Sequence, residues 1–179
     1  MIVYRLDRRN QHHEGQLIDF IQNPYPNHHL GLDFLSEHGL TYIKAMMATH
    51  YNNYGELISP IIENNFEVHR RNNFPDKPSR YQSVFAVKQL TDFHLWKEHF
   101  SIDRNSRIFE IDICDKLFFE ADARHLINDS TASSIADDLR AYFAKINYWS
   151  GRFTDNPLPE IVIKLPVTIG KQVDLSELI

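Results

Sequence analysis

Short β-branched segments near the two ends of the sequence constrain the fold most strongly. Ile2–Leu6 predicts a strand at the start, and Glu160–Leu165 and Val167–Val173 predict strands near the end, with Pro166 making a bulge or kink. The segments between them favour helices in the first half and strands in the second. This arrangement predicts an α+β fold rather than a regular alternation of strands and helices, and we expect one domain over residues 1–179.

Two segments predict amphipathic helices. Glu56–Asn72 is the clearer one, because its apolar residues recur near a 3.6-residue period and the prolines that follow it end the helix. Ser134–Trp149 is the second, with Ile135, Leu139, Tyr142, Phe143 and Ile146 on one face. From Phe34 to about His50 the pattern is ambiguous, because Gly39 interrupts a possible pair of short helices.

Several shorter segments predict extended chain. These are Gln16–Ile21, Arg80–Val87, Arg107–Ile113 and Leu117–Phe119. Along the second of them, the two-residue period of a strand places Tyr81, Ser83 and Phe85 on one face and Arg80 on the other. Thr91–Phe100 predicts a short helix.

Charge is distributed unevenly along the chain. The net charge of −5 removes the basic footprint that a nucleic-acid-binding domain usually shows. Residues 66–82 are nevertheless locally basic, with Arg70, Arg71, Lys77 and Arg80 against Glu67 and Asp76. This basic segment is either a seat for an anionic small molecule or a solvated surface, and the sequence leaves both open.

The sequence also limits the cellular setting and the metal chemistry. Its single cysteine, Cys114, excludes a disulfide framework and is expected to be a buried, inert thiol. No apolar run approaches the ~18 residues of a membrane span, and the start lacks a secretory apolar segment. We therefore expect a cytoplasmic protein. The adjacent pairs His12–His13 and His28–His29 do not have metal-ligand spacing, so we expect surface histidines and no metal.

Common phosphate-cradling and acyl-transfer motifs do not occur in the sequence, but three other segments belong together. The first is Val3–Arg8, which carries Arg5. The second is the P-S-R-Y-Q-S-V-F-A segment at 78–86. The third is the Y-W-S-G-R segment at 148–152, followed by the P-E-I-V-I strand that begins at Pro159. Over Val3–Ile169 these segments resemble the ADP-ribosyltransferase-like superfamily, and within it a bacterial and phage branch with a PSR-x-x-S-x-F-A strand.

The resemblance implies a split β-sheet core in which NAD⁺ lies in a cleft between two small sheets. It implies that Glu160 is the catalytic carboxylate, that Arg5 holds the dinucleotide, and that Ser83 lines the nicotinamide ribose. Further candidate cofactor contacts are Arg80, Tyr81, Phe85 and Trp149. NAD⁺ would be a substrate, and no metal would be required.

The chemistry of nicotinamide release explains these residue types. Cleavage of the N-glycosidic bond passes through an oxocarbenium-like transition state, which a carboxylate such as Glu160 stabilises while accepting a hydrogen bond from the ribose. A planar guanidinium, from Arg5 or Arg80, binds a pyrophosphate bidentately. We expect the Ser83 hydroxyl to be exposed in the cleft and to lie closer to the cofactor than Arg80 does. Ser83→Ala should therefore reduce turnover more than it reduces stability.

The resemblance implies transfer of ADP-ribose to a macromolecular acceptor, either protein or nucleic acid. Such enzymes act as bacterial or phage toxins, effectors or defence factors, some with a neutralising antitoxin.

Leu158 stands where arginine-modifying relatives carry an acid or Gln, and the first strand has no His-x-Thr. Alternatives on the same fold are an NAD⁺ glycohydrolase and a catalytically silent nucleotide- or partner-binding module. RNA 2′-phosphate transfer would need a more basic groove.

Overall fold

Two three-stranded antiparallel sheets form the centre of the computed structural model, which describes residues 1–25, 27–48, 55–97, 99, 102, 106–126 and 134–173. The strands are β1 Ile2–Asp7, β2 Leu17–Ile18, β3 Ile21–Gln22, β4 Phe34–Leu35, β5 Ser83–Ala86, β6 Arg107–Asp112, β7 Phe118–Asp122, β8 Pro159–Lys164, β9 Val167–Thr168 and β10 Gln172–Val173. The α-helices are α1 Glu37–Met47, α2 Gly55–Asn73, α3 Phe93–Trp96 and α4 Ile135–Trp149. Short 3₁₀ turns occupy Arg80–Gln82, Leu90–Asp92 and Ala123–His125.

The first sheet has the order β1-β6-β10 and the second has the order β5-β8-β7. They share one apolar cluster, to which β1 and β6 contribute Val3 and Ile111 and to which β5 and β8 contribute Val84 and Ile163. Tyr4 on β1 and the residue after β5 exchange two backbone hydrogen bonds, which join the sheets at one edge. The chain is thus mixed α and β with antiparallel sheets, which confirms the predicted α+β class.

Helices α2 and α4 cover the other face of the second sheet. Phe66 of α2 and Trp149 of α4 pack against Phe119 and Ala121 of β7 in a separate apolar cluster. Because side chains alternate along a strand, the residues of β8 that flank Ile161 face these helices rather than the first sheet. Glu160 is one of them, so its carboxylate is directed away from the apolar core that the two sheets share.

A single helix, α1, passes through Gly39, where the sequence was ambiguous. Ser36 caps the helix, since its hydroxyl accepts from the Gly39 N–H and donates to the Tyr81 carbonyl, both at 3.1 Å. A Cβ at position 39 would overlap the same carbonyl oxygen. The glycine is therefore needed for the close approach of α1 to the turn at Arg80–Gln82, and it does not break the helix.

The predicted strand over Arg80–Val87 requires correction at its start. Residues 80–82 form a 3₁₀ turn, in which the Ser79 side chain accepts from the Tyr81 N–H, and the strand begins only at Ser83. The turn interrupts the two-residue alternation. Tyr81 consequently does not share a face with Ser83 and Phe85.

Helix α4 is placed where the sequence predicts, but its large apolar stripe is on the outside. Ile135, Leu139, Tyr142 and Phe143 are 80%, 51%, 50% and 53% exposed. The buried residues are Ala141, Ala144, Tyr148 and Trp149, so small side chains and the last turn make the core contact. No helix in the described part of the chain combines the length and apolar character needed to cross a bilayer.

Candidate functional site

Arg80 is the centre of a buried cluster of charged and polar side chains. Its Nε and Nη2 donate to the two oxygens of Glu63, each at 2.8 Å. Its Nη1 donates to Oε1 of Glu160 and to the Tyr148 hydroxyl, each at 2.5 Å. The Tyr148 hydroxyl in turn donates to the same Glu160 oxygen at 2.7 Å. We call these four residues the Arg80 cluster.

Four separate elements bring the cluster together. Glu63 lies on the inner side of α2, one turn before the buried Phe66 and Glu67. Tyr148 comes from the last turn of α4, and Glu160 is the second residue of β8. The 3₁₀ turn before β5 then directs Arg80 between them. The site therefore depends on correct packing of both large helices against the second sheet.

The charges within the cluster reinforce one another. Burial lowers the pKa of Arg80, but the carboxylates of Glu160 and Glu63 outweigh it and raise that pKa well above its usual value. Burial raises the pKa of Glu63, but Arg80 and then His38 hold it far below the ordinary value. Burial raises the pKa of Tyr148, so its phenol keeps the proton that it donates to Glu160. Two carboxyl groups thus share the single guanidinium of Arg80, and His38 also lies beside Glu63.

The two oxygens of Glu160 are in different situations. Oε1 accepts hydrogen bonds from both Arg80 and Tyr148. Within the described residues, Oε2 has no hydrogen-bond partner, although it is not among the fully enclosed polar atoms. The side chain is 4% exposed. The carboxylate is thus fixed through one oxygen, while the other oxygen has no hydrogen bond within the described residues.

Three half-buried rings, which we call the aromatic rim, lie beside the cluster. They belong to His38, Tyr42 and Phe85. The His38 ring lies 4.5 Å from the Tyr42 ring and 4.6 Å from the Phe85 ring, and its Nε2 is 3.3 Å from Oε1 of Glu63. The Arg80 guanidinium stacks over the Phe85 ring at 4.5 Å. The rim is a partly open aromatic surface against the buried charges.

Arg5, on the first strand, borders this rim. The Nη1 of Arg5 donates to the Phe85 carbonyl at 3.1 Å, whereas its enclosed Nε has no hydrogen-bond partner among the described residues. Burial lowers the pKa of Arg5, although the charges of Asp7 and Glu37 act to raise it. Burial and the charge of Glu63 raise the pKa of Tyr42, whereas the charges of Arg80 and Arg8 lower it.

The basic segment at 66–82 is neither a binding site for an anionic molecule nor a solvated surface. Arg70 and Arg71 donate to Oε1 of the fully buried Glu67 at 2.9 and 3.0 Å, and the Ser79 hydroxyl donates to its Oε2 at 2.9 Å. The Lys77 ammonium lies 4.3 Å from the centre of the Phe119 ring. Acidic residues on α2 thus neutralise the arginines within the protein.

The structure brings together four of the seven predicted site residues: Glu160, Arg80, Phe85 and Arg5. It places the other three in the core. Ser83 is 0% exposed, and its hydroxyl donates to the Ser79 carbonyl at 2.6 Å, so it is not the expected open cleft hydroxyl. Tyr81 packs with α1, and the indole of Trp149 donates to the Phe66 carbonyl and stacks on Phe119. Arg80, rather than Ser83, is the residue beside Glu160.

Sequence reasoning missed Glu63, His38 and Tyr148. A signal for the first was present, because Glu63 and Glu67 are four residues apart on the apolar side of a predicted helix, where buried carboxylates require cationic partners. His38 carried no such signal, since it lies in the segment whose helix was ambiguous. Tyr148 lies in the Y-W-S-G-R segment, but nothing in the sequence indicates a partner for its hydroxyl.

Two smaller expectations also need correction. Cys114 is exposed rather than buried. Desolvation and the nearby carboxylates of Asp112 and Asp115 raise the pKa of its thiol, which opposes nucleophilic reactivity. His28 is buried, unlike its exposed neighbour His29. Among the described residues, no three His, Cys, Asp or Glu side chains form a group that can hold a metal ion.

Comparison with known proteins identifies the family but not an activity. No curated protein matches the sequence significantly. One family model, described as a protein of unknown function (DUF2441), matches residues 3–175 and so includes every residue of the Arg80 cluster and the aromatic rim. This chain belongs to the DUF2441 family.

Proposed function

We propose that this protein transfers ADP-ribose from NAD⁺ to a macromolecular acceptor, protein or nucleic acid, in the cytoplasm. The observation that carries the proposal is the state of Glu160. Arg80 and Tyr148 hold one carboxylate oxygen, while the other has no hydrogen bond within the described residues. An oriented carboxylate with a free oxygen is the group that an oxocarbenium-like transition state requires.

The charge distribution around Glu160 supports NAD⁺ as the substrate. The Arg80 cluster holds two carboxyl groups against one guanidinium, which suits the cationic nicotinamide ring and the positive charge that develops on the ribose. Arg5, on the β1 side of the rim, suits the anionic pyrophosphate. Phe85 and Tyr42 offer rings against which nicotinamide can stack.

The order of these residues along the chain also supports the proposal. Arg5 lies on the first strand, Arg80 and Phe85 lie at β5, and Glu160 opens β8, as the resemblance to ADP-ribosyltransferases implies. Two three-stranded sheets that share one core are compatible with the split-sheet core of that superfamily. A role as a bacterial or phage toxin or defence factor, with a neutralising antitoxin, is proposed on the resemblance alone.

One observation favours a second candidate, a silent module that binds a nucleotide without cleaving it. Glu160 is only 4% exposed, and Arg80 compensates its charge. A carboxylate that serves only to hold Arg80 in place would look the same. Binding of NAD⁺ without nicotinamide release distinguishes this candidate from the transferase, and nicotinamide release without a labelled acceptor identifies a glycohydrolase.

The test uses NAD⁺ labelled in its adenylate part together with a bacterial lysate. We expect free nicotinamide to appear and label to enter a fraction that either protease or nuclease destroys. Glu160→Gln keeps the shape of the side chain and should lower both signals by about 10²–10³. The matched control is Glu120→Gln, which removes an exposed carboxylate of β7 that pairs with Lys88. Full activity of Glu160→Gln in a folded protein contradicts the proposal.

A further inference from the structure

His38 is the member of the aromatic rim that carries ring nitrogens. Its side chain is 26% exposed, and its ring contacts both Tyr42 and Phe85, with centroids 4.5 and 4.6 Å away. A nicotinamide ring that stacks on either of these residues, as proposed above, would lie next to the imidazole. The hydrogen bonds that His38 can make therefore bear on which pyridine ring the site accepts.

The two ring nitrogens of His38 are in different surroundings. Nε2 is enclosed and lies 3.3 Å from Oε1 of Glu63, an oxygen that also accepts from Nη2 of Arg80 at 2.8 Å. The contact between Nε2 and Oε1 falls short of a well-aligned hydrogen bond, a geometry that commonly tightens when substrate binds. Nδ1 is not among the enclosed polar atoms and has no hydrogen bond within the described residues.

The carboxylate of Glu63 determines which nitrogen carries the proton. A carboxylate accepts hydrogen bonds but cannot donate them, so it favours the neutral tautomer of His38 with the hydrogen on Nε2. Nδ1 is then a hydrogen-bond acceptor. Such an acceptor matches the amide N–H of a carboxamide, whereas it repels a carboxylate, whose oxygens are also acceptors.

The start of α1 holds the imidazole in place. The Ser36 hydroxyl donates to the Tyr81 carbonyl, and Gly39 packs against the same carbonyl. His38 therefore lies between two contacts to the turn that carries Arg80. Because its backbone is already fixed, little conformational freedom is lost when its side chain binds a ligand.

The charges of the Arg80 cluster also favour a neutral group. Glu63 and Glu160 already share the guanidinium of Arg80. An additional carboxylate beside these two residues would be repelled by them, whereas a carboxamide would not. Electrostatics and the tautomer of His38 thus both favour an amide over an acid.

We propose that His38 makes this site selective for the carboxamide of nicotinamide, with Nδ1 accepting a hydrogen bond from the amide N–H. The inference rests on the proposed function in that it places NAD⁺ at the aromatic rim, and it holds for the transferase and for the silent module alike. The acid analogue, nicotinic acid adenine dinucleotide, carries a carboxylate in place of the carboxamide. It should bind about tenfold to a hundredfold more weakly than NAD⁺.

Calorimetry with the two dinucleotides on folded protein is the first test. His38→Phe keeps an aromatic ring in the rim but removes the acceptor, so it should weaken NAD⁺ binding about tenfold and change binding of the acid analogue little. His13→Phe makes the same change at an exposed histidine before β2, and it should preserve the wild-type difference.

Two results of this experiment contradict the inference alone. They are equal affinities of the wild type for the two dinucleotides, and an unchanged difference between them in His38→Phe. Failure of the wild type to bind either dinucleotide contradicts the proposed function as well, so the two failures are distinguishable.

Nitrogen-15 NMR of the wild type gives a readout that needs no substitution. We expect the neutral His38 imidazole to carry its proton on Nε2, beside Glu63, and to have an unprotonated Nδ1. NAD⁺ should shift the Nδ1 resonance more than the acid analogue does. The opposite tautomer contradicts the inference.

The preference should also depend on pH, because a protonated imidazole donates from both nitrogens. Among the described residues, the groups that face the ring are Glu63 from α2, Arg80 from the turn before β5 and Tyr42 from α1, and β5 contributes the uncharged Phe85 ring. The pKa of Glu63 is lowered and the pKa values of Arg80 and Tyr42 are raised, so histidine is the group among them that titrates between about pH 5 and 8.

As the pH falls through this range, affinity for the acid analogue should rise and affinity for NAD⁺ should fall. Both changes should be absent from His38→Phe, which has no titrating group at this position. Calorimetry across the range measures them. A preference of the wild type that does not change with pH contradicts the inference.

Discussion

Nη1 of Arg80 lies 2.5 Å from Oε1 of Glu160, and each of the two residues is only 4% exposed. This contact links the turn before β5 to the start of β8, and the remaining nitrogens of Arg80 extend it to Glu63 on α2. A buried charge with several charged partners is sensitive to the loss of any one of them. The same contact therefore determines both the stability of the site and the orientation of its carboxylate.

Replacement of Arg80 by Met should destabilise the protein by about 3–5 kcal/mol, because the buried carboxylates of Glu63 and Glu160 lose their shared counter-charge. Denaturant unfolding measures the change. The control is Lys88→Met, which breaks the exposed pair with Glu120 and should cost no more than about 1 kcal/mol. Equal losses for the two variants would show that the Arg80 cluster is not a buried charge network.

Gly39→Ala should destabilise the protein by about 1–3 kcal/mol, although alanine is the better helix former. The added methyl group would overlap the Tyr81 carbonyl oxygen, so α1 must move away from the turn that positions Arg80. Thermal unfolding provides the measurement. Thr41→Ala, at an exposed position of the same helix, is the control and should change stability little. A stabilised Gly39→Ala would mean that this close approach does not exist.

Asp7 should make stability depend on pH in the acid range. Burial raises its pKa, but hydrogen bonds from Arg107 and from the His12 N–H outweigh burial and lower it to about 2. Since the unfolded carboxyl has a pKa near 3.9, the contribution of Asp7 is complete above about pH 5 and is lost as the pH falls toward 2.

Asp7→Asn should accordingly cost about 2 kcal/mol at neutral pH and progressively less toward pH 2. Urea unfolding of both proteins between these limits measures the difference. Asp33→Asn is the comparison, at an exposed position immediately before β4. A difference between wild type and Asp7→Asn that does not change with pH would contradict the assignment.

The sequence predicted the positions of strands and helices better than it predicted what their side chains contact. β1, α2 and β6 lie where β-branched runs and helical periodicity indicate, because those signals are local. The outward stripe of α4 could not be predicted, since periodicity identifies an apolar face but not what covers it. Arg80 was likewise assigned to the far side of a strand, because the 3₁₀ turn that redirects it depends on the Ser79 side chain.

Ser83→Ala provides a test of the revised site. The buried hydroxyl donates to the Ser79 carbonyl, so its loss should cost about 1 kcal/mol of stability. Nicotinamide release, measured on folded protein, should fall far less than in Glu160→Gln. This reverses the expectation from sequence, in which Ser83 was an exposed cleft hydroxyl. A loss of turnover as large as that of Glu160→Gln, without a loss of stability, would return Ser83 to the cofactor site.

Arg5 should determine the affinity for NAD⁺ rather than the rate of its cleavage. Its Nη1 donates to the Phe85 carbonyl, which holds the guanidinium at the aromatic rim, where its outer nitrogens can also donate to a pyrophosphate. Arg5→Ala should weaken NAD⁺ binding about tenfold in calorimetry, which corresponds to about 1.4 kcal/mol. Arg5→Lys should recover only part of this loss, because a single ammonium cannot bind bidentately. The control, Arg152→Ala, removes an exposed arginine beyond α4 and should leave affinity unchanged. Unchanged affinity in folded Arg5→Ala would assign the pyrophosphate to Arg8 instead.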